Sequence, residues 1–224
     1  MKLQPVLVAL LAATCATVFG QTKLYKKLDK YSSSLSQEFD QIPSERKEKL
    51  SMLADELVRT SMAKEGKIAV LFASQDNAGM SQMAQAWLQV ASERYALPNI
   101  QINSAGEKES AIDKSVIRAL KNAGFKTENN SSFVNNPRYV VSYKTESNSL
   151  LMFSKKYTNF QVPTSDFVAV ATENGLANVP GESAHMELPF AAISSEDAQC
   201  REVAREMFFL AEKLQSKHLL SHKQ

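Results

Sequence analysis

Apolar residues between positions 23 and 64 recur at the spacing of two successive amphipathic helices. The first stripe is formed by Leu24, Leu28, Tyr31, Leu35 and Phe39. The second segment opens at Pro43-Ser44, where proline suits a first helical turn, and it places Leu50, Leu53 and Leu57 on one face. The two stripes predict a helical hairpin over 23–64. We expect it to pack against the domain that follows; a partner-binding arm is the alternative.

From residue 67 onwards, short apolar runs alternate with segments of helical periodicity. The runs that are typical of strands are 67–73 (KIAVLFA), 99–103, 166–171 (DFVAVA) and 185–190. The segments that are typical of helices are 79–95, 111–123 and a last helix over 194–214. This alternation predicts an α/β fold, with a small parallel four-stranded sheet and helices on both of its faces.

Residues 126–165 break this regular alternation. The segments 139–143 and 150–153 are predicted to form a hairpin across 145–149, and the Asn and Ser residues of the stretch indicate a surface excursion. Just before the stretch, Gly124 is expected to end the preceding helix, because glycine is common where a helix stops in a left-handed conformation.

The composition is that of an ordinary soluble globular protein. The 224 residues suffice for one well-packed domain with some additions. Hydrophobic residues make up 44% and charged residues 22%, and the formal net charge is +2. Because so small a charge sets up no strong field, we expect no nucleic-acid partner and no attraction to acidic membranes. We expect a monomer.

The first twenty residues differ from the rest of the chain. Lys2 is the only charge before Lys23, and the apolar run 5–20 is too short to span a bilayer comfortably. The run ends in small residues up to Gly20, which predicts a signal peptide over 1–20 and a mature start at Gln21. The sequence therefore predicts an exported, periplasmic protein without a stable membrane span; a buried N-terminal helix is the alternative.

The two cysteines have different predicted fates. Cys15 offers a second alternative, lipidation, but Ala12-Ala13-Thr14 before it is a poor lipobox. Removal of the signal leaves Cys200 as the only cysteine, so no internal disulfide can form. Cys200 shares a helical stripe with apolar residues, which predicts a buried, inert thiol. A reactive or intermolecular cysteine is the other interpretation.

The loop after the first predicted strand is the candidate site by position alone. In parallel α/β folds, ligands lie at the carboxyl ends of strands, where a helix N-terminus offers free N–H groups. This loop covers 74–81 and consists of Ser74, Gln75, Asp76, Asn77, Ala78, Gly79, Met80 and Ser81. Its layout is that of an anion-binding loop.

The segment 67–87 (KIAVLFASQDNAGMSQMAQAW) resembles the opening of the low-molecular-weight protein tyrosine phosphatase and arsenate reductase family. That family has a strand, a loop of the form Cys-x5-Arg-Ser, and a helix beginning Gln-Met-Ala-Glu. Further agreement lies in Ser104-Ala105-Gly106, ALKNAGF (119–125), Val179-Pro180-Gly181, Leu188-Pro189-Phe190 and CREVAREMFFL (200–210). The resemblance implies the phosphotyrosine protein phosphatase I-like fold over 65–220, preceded by a helical extension over 21–64 as in an exported branch.

The resemblance also implies a chemistry. In the family, a loop thiolate attacks phosphorus or arsenic, and loop N–H groups depress the pKa of that thiol. An arginine at the end of the loop binds the oxyanion in bidentate fashion. An aspartate on a later loop protonates the leaving group of a phosphatase, and arsenate reductases use further cysteines to resolve the adduct.

This sequence departs from the family at each chemical position. Ser74 stands at the nucleophile position and Met80 at the arginine position, while Asp76 adds a negative charge inside the loop. Ala191-Ala192-Ile193 follows the segment 188–190, where the family often carries Asp-Pro, and the loop that starts at Thr172 has no cysteine. Asn77 and Ser81 are retained, and we expect them to shape the turn rather than contact a ligand. No residue of the loop is expected to be catalytically competent.

Three functions remain open on the sequence. The first is an exported, noncatalytic pseudophosphatase that binds a protein partner or small ligand through the loop or the helical hairpin. The alternative is an active phosphatase or arsenate reductase-type enzyme with Ser74-based chemistry, for which Asp76 or Glu173 is the only local base. The third is a binding protein for a small neutral or cationic ligand. Whether the chain is an enzyme is not decided at this stage, and inactivity is expected.

The other candidate residues predict little chemistry. His218 and His222 are spaced i, i+4, as metal ligands on a helix are, but they lie in a polar tail without a neighbouring acid or cysteine. Tyr139, Tyr143 and Tyr157 are interpreted as packing residues rather than a substrate rim. We expect no metal and no cofactor.

Overall fold

The structure is a computed structural model that describes residues 24–129, 134–145 and 149–221. The predicted signal peptide over 1–20 and Cys15 lie outside the described residues. His222 lies outside them as well, and the side chain of His218 is not described.

The described residues form five α-helices, one 3₁₀ helix and seven strands. The α-helices are α1 (Lys26–Ser33), α2 (Ser44–Met62), α3 (Met80–Arg94), α4 (Lys114–Ala123) and α5 (Glu196–Ser221), and the 3₁₀ helix covers Leu35–Gln41. The strands are β1 (Ile68–Ser74), β2 (Ile100–Gly106), β3 (Lys126–Asn129), β4 (Tyr139–Ser142), β5 (Ser149–Met152), β6 (Phe167–Ala171) and β7 (Glu182–Glu187).

The main sheet has four parallel strands in the order β2-β1-β6-β7. Its register places Ser74, the last residue of β1, opposite Gly106, the last residue of β2, and Ala73 opposite Ala171 of β6. The carboxyl ends of three strands therefore meet around the start of the loop 74–81. The predicted α/β fold, with a small parallel four-stranded sheet and helices packed against it, is confirmed.

The two faces of β1 are covered differently. Because side chains alternate along a strand, Ile68, Val70 and Phe72 enter the larger hydrophobic cluster, which also contains residues of α2, α3, α4 and α5. Ala69, Leu71 and Ala73 enter a smaller cluster, whose other members outside the sheet are Tyr157, Val162, Leu176 and Val179. These residues belong to connecting segments, so the second face of β1 is covered by loops, where the sequence had predicted helices.

The N-terminal helices belong to the larger cluster. The chain forms two helical segments there as predicted, but the first is not one continuous helix. It changes to the 3₁₀ helix at Ser34, and both Leu28 and Leu35 remain fully buried across the change. Tyr31 of α1 stacks on Trp87 of α3 with ring centroids 5.3 Å apart. The helices over 26–62 thus pack against the domain that follows, as expected.

Several helices and strands begin or end at residues other than the predicted ones. Helix α4 begins at Lys114 rather than 111, because the Asp113 side chain accepts a hydrogen bond from Ser115 N and caps the helix. It ends at Gly124, whose φ of 115° is the predicted left-handed stop. Strand β7 ends at Glu187, before Pro189, which lacks the N–H that a ladder needs. Helix α5 continues to Ser221, past the predicted end.

The irregular stretch contains a second, antiparallel sheet in the order β3-β4-β5. The predicted hairpin is present as β4 and β5, with Tyr139 opposite Met152. Strand β3, Lys126–Asn129, was missed because its sequence KTEN has no apolar residue on either face.

Cys200 lies inside the helical layer and is 1% exposed. Trp87 Nε1 donates a hydrogen bond to its Sγ at 3.2 Å. Burial raises the pKa of the Cys200 thiol to about 12, against an ordinary value near 9. The thiol is therefore protonated at neutral pH and shielded from reagents.

Candidate functional site

The loop 74–81 connects β1 to α3 at the carboxyl edge of the main sheet. The end of β2 presses against it: a Cβ added at Gly106 would lie 2.7 Å from Asn77 N and 2.9 Å from the Asp76 carbonyl carbon. Only glycine permits this approach, because real Cβ atoms do not come so close to backbone. At Gly79, by contrast, an added Cβ would meet nothing within 4 Å. The glycine that lets the loop sit close to the sheet is therefore Gly106.

Two hydroxyls and one amide form the centre of the loop. Ser74 Oγ and Ser81 Oγ lie 2.9 Å apart, Asn77 N donates to Ser74 Oγ at 2.9 Å, and Asn77 Nδ2 donates to Ser81 Oγ at 3.0 Å. The three residues are 5%, 0% and 0% exposed in the order Ser74, Asn77, Ser81. The group is neutral and closed, since each hydroxyl has a partner within the loop.

Asn77 links this centre to a distant segment. Its backbone adopts the left-handed region with φ 52°, which asparagine tolerates better than most residues. Its Oδ1 accepts a hydrogen bond from Lys155 N at 3.0 Å, and Gln82 Nε2 donates to its carbonyl oxygen. Both polar atoms of this buried side chain bond to groups of the protein, so the side chain holds the turn.

Two carboxylates accept hydrogen bonds from loop N–H groups. Asp76 Oδ1 accepts from Ala78 N at 3.0 Å, and the carboxylate of Glu173, from the segment after β6, accepts from Gln75 N. Together with the bond from Asn77 N to Ser74 Oγ, three N–H donors of the loop, those of residues 75, 77 and 78, have acceptors from this chain. An anion-binding loop keeps such donors free for its ligand. Here the protein supplies the acceptors itself.

The segment 153–157 forms hydrogen bonds with the loop and with the end of β2. Ser154 Oγ donates to Asp76 O at 2.6 Å and accepts from Ser110 N at 2.8 Å. Gly106 N donates to Lys155 O at 2.7 Å, and Tyr157 N donates to Gly106 O at 3.0 Å. No pattern in the sequence pointed to Ser110 or Ser154. Gly106 was noted only as part of the family resemblance.

Tyr157 lies nearer the loop than predicted. Its phenol donates to Ser74 O at 3.5 Å, so it contributes to the rim in addition to packing in the smaller cluster. Burial, followed by the nearby charges of Glu107, Glu173 and Glu182, raises the pKa of the Tyr157 phenol. These three acids therefore lie close enough to Tyr157 to act on its phenol, at the rim of the loop. Tyr139 and Tyr143 are buried, as expected for packing residues.

Lys155 is a buried lysine beside the loop. It is 3% exposed, and burial lowers the pKa of its ammonium from 10.5 to about 8. Its Nζ lies 4.9 Å from the centre of the Phe153 ring and 3.5 Å from Phe153 O. The ammonium thus contacts its own segment; it is the backbone of Lys155 that bonds to Asn77 and Gly106.

Met80, at the position where the family resemblance implies an arginine, packs as an apolar residue. It is half-buried and contacts the larger hydrophobic cluster at the first turn of α3. A thioether carries no charge and donates no hydrogen bond. The position is therefore used for packing and cannot bind an oxyanion.

A half-buried arginine lies beside the segment 188–193. Arg46 of α2 forms two hydrogen bonds with the Glu206 carboxylate at 2.9 and 2.7 Å, and its Nη1 donates to Pro189 O at 2.9 Å. Its guanidinium carbon lies 4.7 Å from the centre of the Phe190 ring. This cation fixes the segment in place and is committed to a carboxylate. Sequence reasoning missed it, since Arg46 and Glu206 are 160 residues apart.

The geometry does not support Ser74 as a nucleophile. A serine hydroxyl needs a general base within hydrogen-bond reach. Its partners here are Ser81 Oγ and Asn77 N, whereas Asp76 and Glu173 bond to backbone N–H groups. Neither carboxylate named as a local base takes part in the hydrogen bonds of the hydroxyl. What the arrangement does supply is a rigid, neutral turn with an acidic rim.

Within the part of the chain that the structure describes, no three His, Cys, Asp or Glu side chains are grouped so as to hold a metal ion. His185 and Glu182 pair at 3.1 Å without a third ligand of these types. Among the same residues, no helix has the length and apolar character required to cross a bilayer.

No protein-family model matches the sequence, and no curated protein matches it. The fold is similar to that of a low-molecular-weight phosphotyrosine phosphatase from Vibrio cholerae O395, at 15% identity and TM-score 0.41 over 68% of this chain and 97% of that one. It is also similar to a thioredoxin-dependent arsenate reductase from Corynebacterium glutamicum, at 17% identity and TM-score 0.41 over 87% and 97%. A Drosophila arginine phosphatase is similar at 16% identity and TM-score 0.38, over 69% of this chain and 97% of that one. At these identities and TM-scores the likeness carries no argument about activity.

Proposed function

We propose that this chain is a noncatalytic protein on a low-molecular-weight phosphatase-like scaffold, a pseudophosphatase that acts by binding. The observation that carries the proposal is the closed network of the loop. The Ser74 hydroxyl bonds to Ser81 and Asn77 and to no base. Met80, where the resemblance implies an arginine, packs on the core. The residues in both chemical positions serve the fold.

The binding surface is proposed to be the loop face at the carboxyl edge of the main sheet or the helices over 26–62. The loop face carries three acids, Glu107, Glu173 and Glu182, around Tyr157. Such a face favours a protein partner or small ligand of neutral or positive charge over an oxyanion. We propose the residues 21–64 as a helical extension of a domain over 65–220.

Export is part of the proposal. Its support is the apolar run that ends at Gly20, with charges crowding in directly after Gln21. Expression of the full chain in a Gram-negative host, followed by mass spectrometry of the periplasmic fraction, tests it. The expected product begins at Gln21. Intact protein that retains Met1 in the cytosol would refute export, and a diacylglyceryl group on Cys15 would assign the lipoprotein alternative.

Turnover decides between the proposal and the Ser74-based enzyme. Aryl phosphate hydrolysis and arsenate reduction are measured for the wild type and for Ser74→Ala. Ser51→Ala is the control, because the Ser51 hydroxyl bonds to Lys47 O within α2. The expected result is a background rate for all three proteins. A wild-type rate well above background that Ser74→Ala abolishes and Ser51→Ala preserves would overturn the proposal.

A further inference from the structure

Glu173 holds the first donor of the loop 74–81 from outside the loop. It directly follows Thr172, whose N and Oγ1 both donate to Ala73 O at 2.9 Å. The side chain of the next residue then reaches Gln75 N and accepts its hydrogen. The end of β1 is thus bonded to the segment after β6 through backbone, hydroxyl and carboxylate in succession.

The backbone that carries Glu173 is fixed on its other side as well. Phe190 N donates to Thr172 O at 3.1 Å, and Leu188 N donates to Ala171 O at 2.8 Å. Phe190 in turn lies under the Arg46 guanidinium. The side chain of Glu173 is exposed to solvent. The backbone just before it, at Thr172, is hydrogen-bonded to the end of β1 and to the segment that follows β7. The position of Glu173 on Gln75 N therefore follows from the fold around it.

The three occupied donors of the loop differ in what holds them. Asn77 N and Ala78 N bond to side chains two or three residues away, Ser74 and Asp76, so their acceptors are part of the turn itself. Gln75 N alone among the three bonds to a residue 98 positions distant. This donor is consequently the one that can be freed without dismantling the turn.

We propose that the Glu173 carboxylate is a built-in anion for the loop 74–81, an autoinhibitory contact that excludes external oxyanions. The proposal rests on the proposed noncatalytic function and assigns the exclusion to one side chain. Glu173 acts in two ways: it occupies the Gln75 N–H, and it adds its charge to those of Glu107 and Glu182 around Tyr157. An inorganic oxyanion that approaches Gln75 therefore meets an N–H group that already has an acceptor, and a carboxylate that repels it.

The test compares the full mature chain with Glu173→Ala, Glu173→Gln and Glu187→Ala. Glu187 is an exposed residue that ends β7 at the same edge of the sheet. It forms no hydrogen bond with residues 74–81. Glu187→Ala therefore removes one negative charge, as Glu173→Ala does, without freeing an N–H of the loop. Each protein is titrated with inorganic phosphate and with sulfate at constant ionic strength. The readouts are the amide chemical shifts of Gln75 and Asn77 and the rise in Tm.

The expected result is saturable shifts of both amides in Glu173→Ala, with an apparent affinity at least tenfold tighter than in wild type and Glu187→Ala. Glu173→Gln keeps an oxygen on the Gln75 N–H and is expected to gain less than Glu173→Ala. No gain in Glu173→Ala, or an equal gain in Glu187→Ala, would overturn the proposal. An equal gain in affinity in Glu173→Ala and Glu173→Gln would refute the claim that Glu173 excludes anions by occupying the Gln75 N–H. Wild type that binds phosphate at Gln75 would refute the exclusion, whereas only turnover that depends on Ser74 refutes the proposed function.

Discussion

The loop 74–81 and the junction between α2 and α5 both bury polar side chains, but they do so with different chemistry. The loop is centred on the neutral side chains of Ser74, Asn77 and Ser81. The junction contains the ion pair of Arg46 and Glu206, whose side chains are 15% and 3% exposed. In a loop that reacts with oxyanions, the buried cation would be in the loop. Here it stabilises the packing of two helices behind a neighbouring segment.

The difference shows where polar groups serve stability and where they serve shape. A buried charge pair is strongly destabilising when one partner is lost, because the other charge remains without compensation. A neutral hydrogen-bonded turn costs less to disturb, but it holds a defined geometry. The molecule thus has a charged structural anchor and an uncharged loop, and each can be perturbed separately.

The largest effect is expected at the junction. Arg46→Met should lower the free energy of unfolding by about 3–5 kcal/mol at pH 7, because it leaves the Glu206 carboxylate buried and unpaired. Urea unfolding measures the loss. Arg59→Met, which breaks the exposed pair with Glu56, is the control and should have far less effect. Equal losses in the two variants would contradict a special role for the buried pair.

The pH dependence of the Arg46→Met loss follows from Glu206. Burial raises the pKa of this carboxyl above its usual 4.5, although Arg46 opposes the rise. A carboxyl whose folded pKa is raised reduces stability as pH rises from 4.5 through the folded value. Without Arg46 the folded pKa rises further, so the loss should shrink as pH falls from 7 to 5. In an Arg46→Met/Glu206→Gln protein this trend should disappear.

In the loop, Asn77→Ala should lower the free energy of unfolding by about 3 kcal/mol. The change removes the hydrogen bonds to Ser81 Oγ and from Lys155 N, and it places alanine in the left-handed region. Asn77→Gly restores the backbone freedom but not the bonds, so it should lose about 1 kcal/mol less. Urea unfolding of both variants gives the difference. Identical stabilities would mean that the left-handed backbone adds nothing.

Lys155 is the charged exception beside the neutral loop, and its removal should stabilise the protein. The lowered pKa means that the folded state binds the proton less well than the unfolded state, so stability rises with pH between about 8 and 10.5. Lys155→Met should therefore gain about 3 kcal/mol below pH 8 and nothing above 10.5. Lys156→Met, at the exposed neighbouring lysine, should show no such profile. A pH-independent difference would contradict the buried ammonium.

The smallest change is expected when Cys200 of the helical layer is exposed to a thiol reagent. Its thiol pKa of about 12 and its burial predict no reaction with a disulfide reagent in the native protein and full reaction in urea. Native reactivity at a rate near that of a free thiol would show that the packing around Trp87 opens readily.

The sequence predicted the position of the loop but not its contacts. The run KIAVLFA located β1 to within one residue, because a buried parallel strand is continuously apolar. Strand-end topology and the family resemblance then pointed to 74–81. Ser110 and Ser154 complete the site from other segments and were not predicted, whereas Glu173 was expected as a base for Ser74 and bonds to Gln75 N instead. Their pairing depends on the packing of those segments, and no local pattern encodes it.

The same reason explains what was missed elsewhere. The pattern of α2 predicted its buried face from Leu50, Leu53 and Leu57, all of which are buried. The same helix gave no sign that Arg46 would pair with a buried carboxylate, because that partner, Glu206, lies in α5. Helices were predicted on both faces of the sheet from the alternation alone. The chain between β5 and β6 has no helical periodicity, and it is this segment that helps cover the second face.

We expect the loop 74–81 to keep a usable shape although the thiol and the guanidinium of the family are replaced by Ser74 and Met80. Aryl phosphate turnover by Ser74→Cys/Met80→Arg, with and without Glu173→Ala, tests it most directly beside wild type and each single variant. We expect background rates for wild type and the single variants, a slow but measurable rate for the double variant, and a faster rate once Glu173 is replaced by alanine. Cooperatively folded double and triple variants that both stay at background would contradict the claim that the shape is retained.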